Sequence, residues 1–150
     1  MLRRSAFAVL FACVLAAVAC GGGNDNPNNP TPTPQPQPQG PADLVIEDVV
    51  VGTGAEATGN KLLTLNYVLY NYDPAGPNNR GTVVQAQQYQ FRQGVNAVIP
   101  GFERGVAGMR EGGQRRITVP PSLAYGATGN GSVPPNAWIV FDIQLLTVAD

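Results

Sequence analysis

Among the 150 residues there is no histidine, which removes Ser-His-Asp hydrolysis, Cys-His chemistry and His-ligated metal sites together. Both cysteines, Cys13 and Cys20, lie in the N-terminal segment. The rest of the chain therefore carries no disulfide, thiolate nucleophile or cysteine metal centre. Gly52-x-Gly54 precedes no helical pattern, and a lone glycine pair is weak evidence for a phosphate loop. What remains includes eleven aromatic residues: five phenylalanines, five tyrosines and one tryptophan. By themselves Phe91, Phe102 and Phe141 read as core, Tyr125 as a loop tyrosine, and Trp138, the single tryptophan, as strand packing. No metal or cofactor is expected.

Charge narrows the partners. Removing Arg3 and Arg4 from the nine basic residues leaves seven against ten acidic ones. A mildly acidic body argues against nucleic acid, which needs a basic face. Arg115-Arg116 is the one adjacent basic pair in that body and reads as a solvated strand edge.

The elements that must position the aromatics begin well into the chain. Residues 1–19 have the parts of an export signal: Arg3 and Arg4, then an apolar run from Ala6 to Ala19 that is short for a bilayer span. Ala17-Val18-Ala19-Cys20 resembles the bacterial lipobox, which makes Cys20 a lipidation site; an ordinary signal peptide or an uncleaved anchor is the alternative. Residues 20–42 are almost entirely Gly, Asn, Pro, Thr and Gln. They offer nothing to bury, so the expectation is a disordered linker with polyproline character. The folded domain is expected over 43–150.

Within it, Asp43–Val51 reads as a strand. Lys61–Tyr72 reads as a longer one, with Leu63, Leu65, Tyr67 and Leu69 on one face. Asp73–Gly81 is dense in turn residues. Thr82–Phe91 reads as a strand with a break in its polar run, Gln85–Gln88. Phe102, Val106 and Met109 fall on one helical face, and Gly112-Gly113 is expected to end that helix. Gln114–Val119 and Ala137–Val148 read as strands, separated by a long loop. The fold class is α+β, mostly antiparallel sheet with one short helix.

Val98-Ile99-Pro100-Gly101-Phe102-Glu103, Gly105-Val106-x-Gly108-Met109, the run from Gly112 to Gly126, Val133-Pro134-Pro135-Asn136-Ala137 and Val140-Phe141-Asp142-Ile143-Gln144-Leu145-Leu146 follow in one order and spacing. This stretch resembles the FKBP-type peptidyl-prolyl isomerases, and the likeness extends more weakly back to about Asp43. The resemblance implies a curved antiparallel sheet wrapped around one short α-helix, with a shallow aromatic pocket between them. It implies catalytic roles for Tyr125, Ile99, Phe102 and Phe141. Tyr67, Gln85, Tyr89, Phe91, Val98 and Val133 are implied as substrate-binding residues. The family's Phe-Asp-Ser-Ser stretch is replaced here, so that Gln85 falls where a carboxylate is usual.

Rotation about an X-Pro bond meets a barrier of roughly 20 kcal/mol because it breaks amide resonance. A dry aromatic pocket favours the less polar twisted amide, and a few fixed donors hold the carbonyls. The Ile99 backbone N–H and the Tyr125 hydroxyl are the donors the resemblance implies. The expected protein is an isomerase of proline-containing chains at the cell envelope, lipid-anchored at the periplasmic face of the outer membrane, monomeric, and open to macrolide inhibition. A catalytically weak chaperone or binding module is the alternative, and an unrelated β-rich adhesion or carbohydrate-binding domain is the third.

Overall fold

The computed structural model describes residues 36–150. The expected signal segment 1–19, Cys20 and the linker up to residue 35 lie outside the described residues. Five strands follow: β1 Val45–Val50, β2 Leu62–Tyr72, β3 Arg80–Arg92, β4 Gln114–Val119 and β5 Ile139–Ala149. One helix, α1, spans Pro100–Val106. The strands form one antiparallel sheet in the order β1-β4-β5-β2-β3. This curved sheet with a single short helix is the α+β arrangement expected. Among the described residues no helix is long and apolar enough to cross a membrane.

Alternation along the strands builds most of the core. Leu63, Leu65 and Leu69 on β2, Ile117 and Val119 on β4, and Ile139, Phe141, Ile143 and Leu145 on β5 are all buried on one face. Phe102 and Val106 of α1, with Met109 beyond it, close that layer. Two glycines shape the helix. A Cβ on Gly105 would lie 2.6 Å from the Ile117 Cδ1, so glycine is what lets α1 settle on β4. Gly108 has φ +73°, a left-handed residue that turns the chain out of the helix, which ends at Val106 rather than running to Met109.

Arg115 and Arg116 are not a solvated edge. The Arg115 side chain is only 10% exposed. Its Nη1 donates to the carbonyls of Gly105 and Ala107, both at 2.9 Å, which satisfies acceptors left open at the end of α1. Its Nε and Nη2 reach both carboxylate oxygens of Asp48 on β1, at 2.6 and 3.1 Å. Arg115 thus links the helix end, the edge strand and β4. The Arg116 Nε donates to Asp142 at 2.7 Å, and Arg80 takes the other oxygen of that carboxylate at 2.8 Å.

Arg80 also stands 5.4 Å from the centre of the Tyr70 ring. These contacts explain why β3 starts at Arg80, two residues earlier than the sequence pattern suggests. The expected break in the polar run is absent as well. Ala86, Gln87 and Gln88 pair in register with Val68, Tyr67 and Asn66, and the irregularity falls just before them, at Val84, between the Leu69–Gln85 and Tyr70–Val83 pairs.

Trp138 precedes β5, and its indole N–H donates to the Pro41 carbonyl at 2.8 Å. The Gly40 backbone lies against the same ring, where a Cβ would come within 2.6 Å of Cδ1.

Candidate active site

A cavity of about 480 Å³ opens between β3, the segment leading into α1, and the loop after β4. Its floor is aromatic. Phe102, in the first turn of α1, and Phe141, on β5, are both almost fully buried. Their rings meet edge to face with centroids 4.9 Å apart. Tyr67 closes the triangle at 5.7 Å from Phe102 and 5.6 Å from Phe141. Such edge-to-face contacts place the positive ring edge of one residue on the negative face of the next and lock all three rings.

The walls come from elements that the sequence made rigid in different ways. Ile99 caps α1 in an extended conformation, with its carbonyl accepting from the N–H groups of Phe102 and Glu103. Its own N–H donates to no group among the described residues. Tyr125 follows a 3₁₀ turn at Pro121–Leu123, and the Pro121 carbonyl accepts from both Ala124 and Gly126. Beyond it, Asn130 and Val133 exchange two backbone hydrogen bonds at 2.9 Å, and Asn136 N–H donates to Gly126 at 2.7 Å. The long loop is therefore tied into a hairpin that holds the tyrosine over the cavity.

Most of the residues expected at a site converge here. Tyr67, Gln85, Tyr89, Val98, Ile99, Phe102, Tyr125 and Phe141 all line the cavity. Phe91 and Val133 do not. Phe91 stands behind Phe102 at a centroid distance of 5.9 Å, and Val133 is buried in the core beneath the loop. Gln87, Asn96 and Ala97 line the cavity without having been expected. For Gln87 the signal was present: Gln85, Gln87 and Tyr89 share parity on one strand, so the face that carries two of them carries the third. Asn96 and Ala97 sit in a connection whose sequence has no periodicity to read.

No Asp, Glu, Lys or Arg lines the cavity. The Gln87 Nε2 donates to the Tyr67 hydroxyl oxygen at 2.8 Å. Burial pushes the Tyr67 phenol above its ordinary value, and the Gln87 hydrogen bond partly offsets this. A second concavity, of about 380 Å³, is lined by Asn66, Val68, Arg80, Arg116, Asp142 and Gln144 among others. Arg80 and Arg116 both pair there with Asp142, and Arg115, which also lines it, is held by Asp48. Among the described residues no cluster of acidic, cysteine or histidine side chains fits a metal ion.

An uncharged aromatic cup with amide and hydroxyl donors on its rim suits a neutral group that must shed water and be held by its carbonyls. Comparison with known proteins agrees. Residues 54–146 match the model of the FKBP-type peptidyl-prolyl cis-trans isomerase family. An FK506-binding protein of Neisseria meningitidis serogroup A is 38% identical over 106 residues, covering 70% of this chain and 95% of that one. The peptidyl-prolyl cis-trans isomerase FKBP53 of Arabidopsis thaliana is 35% identical over 113 residues; the match covers 72% of this chain and 23% of that longer protein. The crystal structure of AtFKBP13 superposes with a TM-score of 0.60 at 32% identity, covering 71% of this chain and 93% of that one. With its fold, its cavity and this likeness in agreement, the chain belongs to the FKBP-type peptidyl-prolyl cis-trans isomerases.

Proposed function

We propose that this isomerase acts at the cell envelope on X-Pro bonds of unfolded or exported polypeptides, anchored through lipid on Cys20 and working as a monomer. The observation that supports the chemistry best is the Tyr67–Phe102–Phe141 floor, free of charge and roofed by donors. A proline ring seated on that floor loses its water. The planar amide, being more polar than the twisted one, loses more solvation than the transition state does. The Ile99 N–H and the Tyr125 hydroxyl then hold the flanking carbonyls. Val98 and Tyr89 bound the proline cleft, with Gln85 at its mouth. No bond to the protein forms or breaks, and no cofactor is needed.

Proline-containing chains are the substrates in this reading, and a macrolide that fills the same cup is the inhibitor. The test is cis-to-trans relaxation of a short X-Pro-Phe peptide, which takes tens of seconds or more unaided, with and without a macrolide. Acceleration that the macrolide abolishes is expected. A folded chain that binds the peptide without accelerating it would favour a chaperone-like holder, a reading motivated by the altered Val84-Gln85 stretch, where Gln85 stands in place of the usual carboxylate. Metabolic labelling with a fatty acid, lost in Cys20→Ala, tests the anchor. Fractionation of the envelope tests the outer-membrane, periplasm-facing location.

A further inference from the structure

Gln87 and Tyr67 face each other across β3 and β2 as a directly paired couple, so strand register fixes their contact. A phenol oxygen has one proton to give and lone pairs to receive. A side-chain amide N–H can only donate, and the Gln87 Nε2 takes a lone pair of the Tyr67 oxygen at 2.8 Å. The Tyr67 proton is left uncommitted, since no described group accepts it. The ring cannot swing away, because Phe102 and Phe141 both hold it by their edges. The hydroxyl therefore stays at the cavity wall with its proton available.

The charge around it is equally specific. The titratable groups of the cavity are the three phenols of Tyr67, Tyr89 and Tyr125, and the remaining polar side chains are amides. Glu103, on the helix beside the cavity, faces another groove and accepts from the Gly94 N–H. A carboxylate brought in by a substrate meets hydrogen-bond donors here and no like charge.

We propose that Gln87 is a positioning residue that turns Tyr67 into a hydroxyl donor to the substrate, and that the resulting neutral cavity accepts X-Pro bonds in which X is acidic. The proposal rests on the isomerase reading of this cavity and adds a substrate class to it. A carboxylate at position 87 would reverse both features: it only accepts, so it would capture the Tyr67 proton, and it would set a negative charge against the substrate.

The experiment compares Leu-Pro and Glu-Pro peptides of otherwise equal sequence, by turnover and separately by calorimetric binding. The proteins are the full chain and its Gln87→Glu, Tyr67→Phe and doubly substituted forms. The wild-type chain is expected to turn over the two peptides within about threefold of each other. Gln87→Glu is expected to lower kcat/KM for the Leu-Pro peptide about fivefold, the worth of one hydrogen bond. For the Glu-Pro peptide it adds roughly a further tenfold that shrinks as salt is raised. Both losses are recovered on acidification towards pH about 4, where a glutamic acid regains its proton and can donate again. Tyr67→Phe costs the Leu-Pro peptide the same fivefold, and adding Gln87→Glu to it costs that peptide no more. An unchanged Leu-Pro to Glu-Pro ratio in Gln87→Glu, or a wild-type preference against Glu-Pro above a hundredfold, overturns the proposal. Binding keeps the two ideas separate. A chain that binds both peptides with the expected ratio yet accelerates neither would refute turnover while sustaining the role of Gln87.

Discussion

The rings of Phe102 and Phe141 meet edge to face at 4.9 Å with their planes at 67°. One ring belongs to the first turn of α1 and the other to β5. The cavity floor is therefore the joint between helix and sheet, and the same contact serves stability and function.

Substitutions at Phe141 separate those two roles. Phe141→Ala removes a buried ring and is expected to cost about 3–5 kcal/mol in urea unfolding. Phe141→Leu refills most of the volume and is expected to cost less than about 1.5 kcal/mol. Both remove the ring edge, so turnover should fall by more than about tenfold in each, on the scale of 1.4 kcal/mol per factor of ten.

Tyr125 offers the opposite contrast. Its side chain is held from the loop backbone, and its hydroxyl makes no hydrogen bond among the described residues. Tyr125→Phe is expected to leave the unfolding midpoint unchanged and to lower kcat/KM about fivefold, the worth of one neutral hydrogen bond. An equal loss on peptides of different length would place that bond at the proline itself.

Gly105→Ala decides between helix propensity and close packing. Alanine in a helix interior gains up to about 1 kcal/mol over glycine. Here its Cβ would press to 2.6 Å against Ile117, and overpacking of this kind costs about 1–3 kcal/mol. Net destabilisation is expected in thermal unfolding; a raised midpoint would show that β4 yields.

The Tyr67 phenol sets a pH response in stability. Burial raises the Tyr67 phenol above its ordinary value, so the folded chain holds this proton more tightly than the unfolded chain. The stability it contributes is whole below the unfolded tyrosine value of about 10 and is lost as pH rises past that point. Since the cavity holds no carboxylate or imidazole, kcat/KM should be flat from about pH 5 to 9. Tyr67→Phe should flatten the fall in stability above pH about 10, as followed by denaturant midpoints.

What could be read without the structure follows from period and parity. The alternating leucines of β2 and the Ile139–Leu145 alternation of β5 announce one buried face, and that face is the core. Phe102 and Phe141 were legible as a site through their family resemblance alone, because burial makes a pocket wall and a core residue look alike in sequence. Arg115 was misread for a physical reason. An arginine on a short strand ordinarily points to water, and only the end of α1 and Asp48 arriving from elsewhere in the chain give it partners. The extent of α1 was misread because Met109 keeps the helical spacing after Gly108 has already turned the backbone. Gln87 was passed over because a run of glutamines carries no hydrophobic contrast, although its parity with Tyr89 marked the face.

The Trp138 contact bears on how the domain answers mechanical load. Gly40 and Pro41 come before β1 in the chain, yet they are held by the residue that leads into β5. The Trp138 carbonyl in turn accepts from the Tyr72 N–H at 3.0 Å. Strand β5 lies in the interior of the sheet, whereas β1 is its edge. A pull drawn along the chain from its N-terminal side is thus delivered first to the middle of the sheet. The indole clasp has to open before β1 can be peeled from β4 one hydrogen bond at a time.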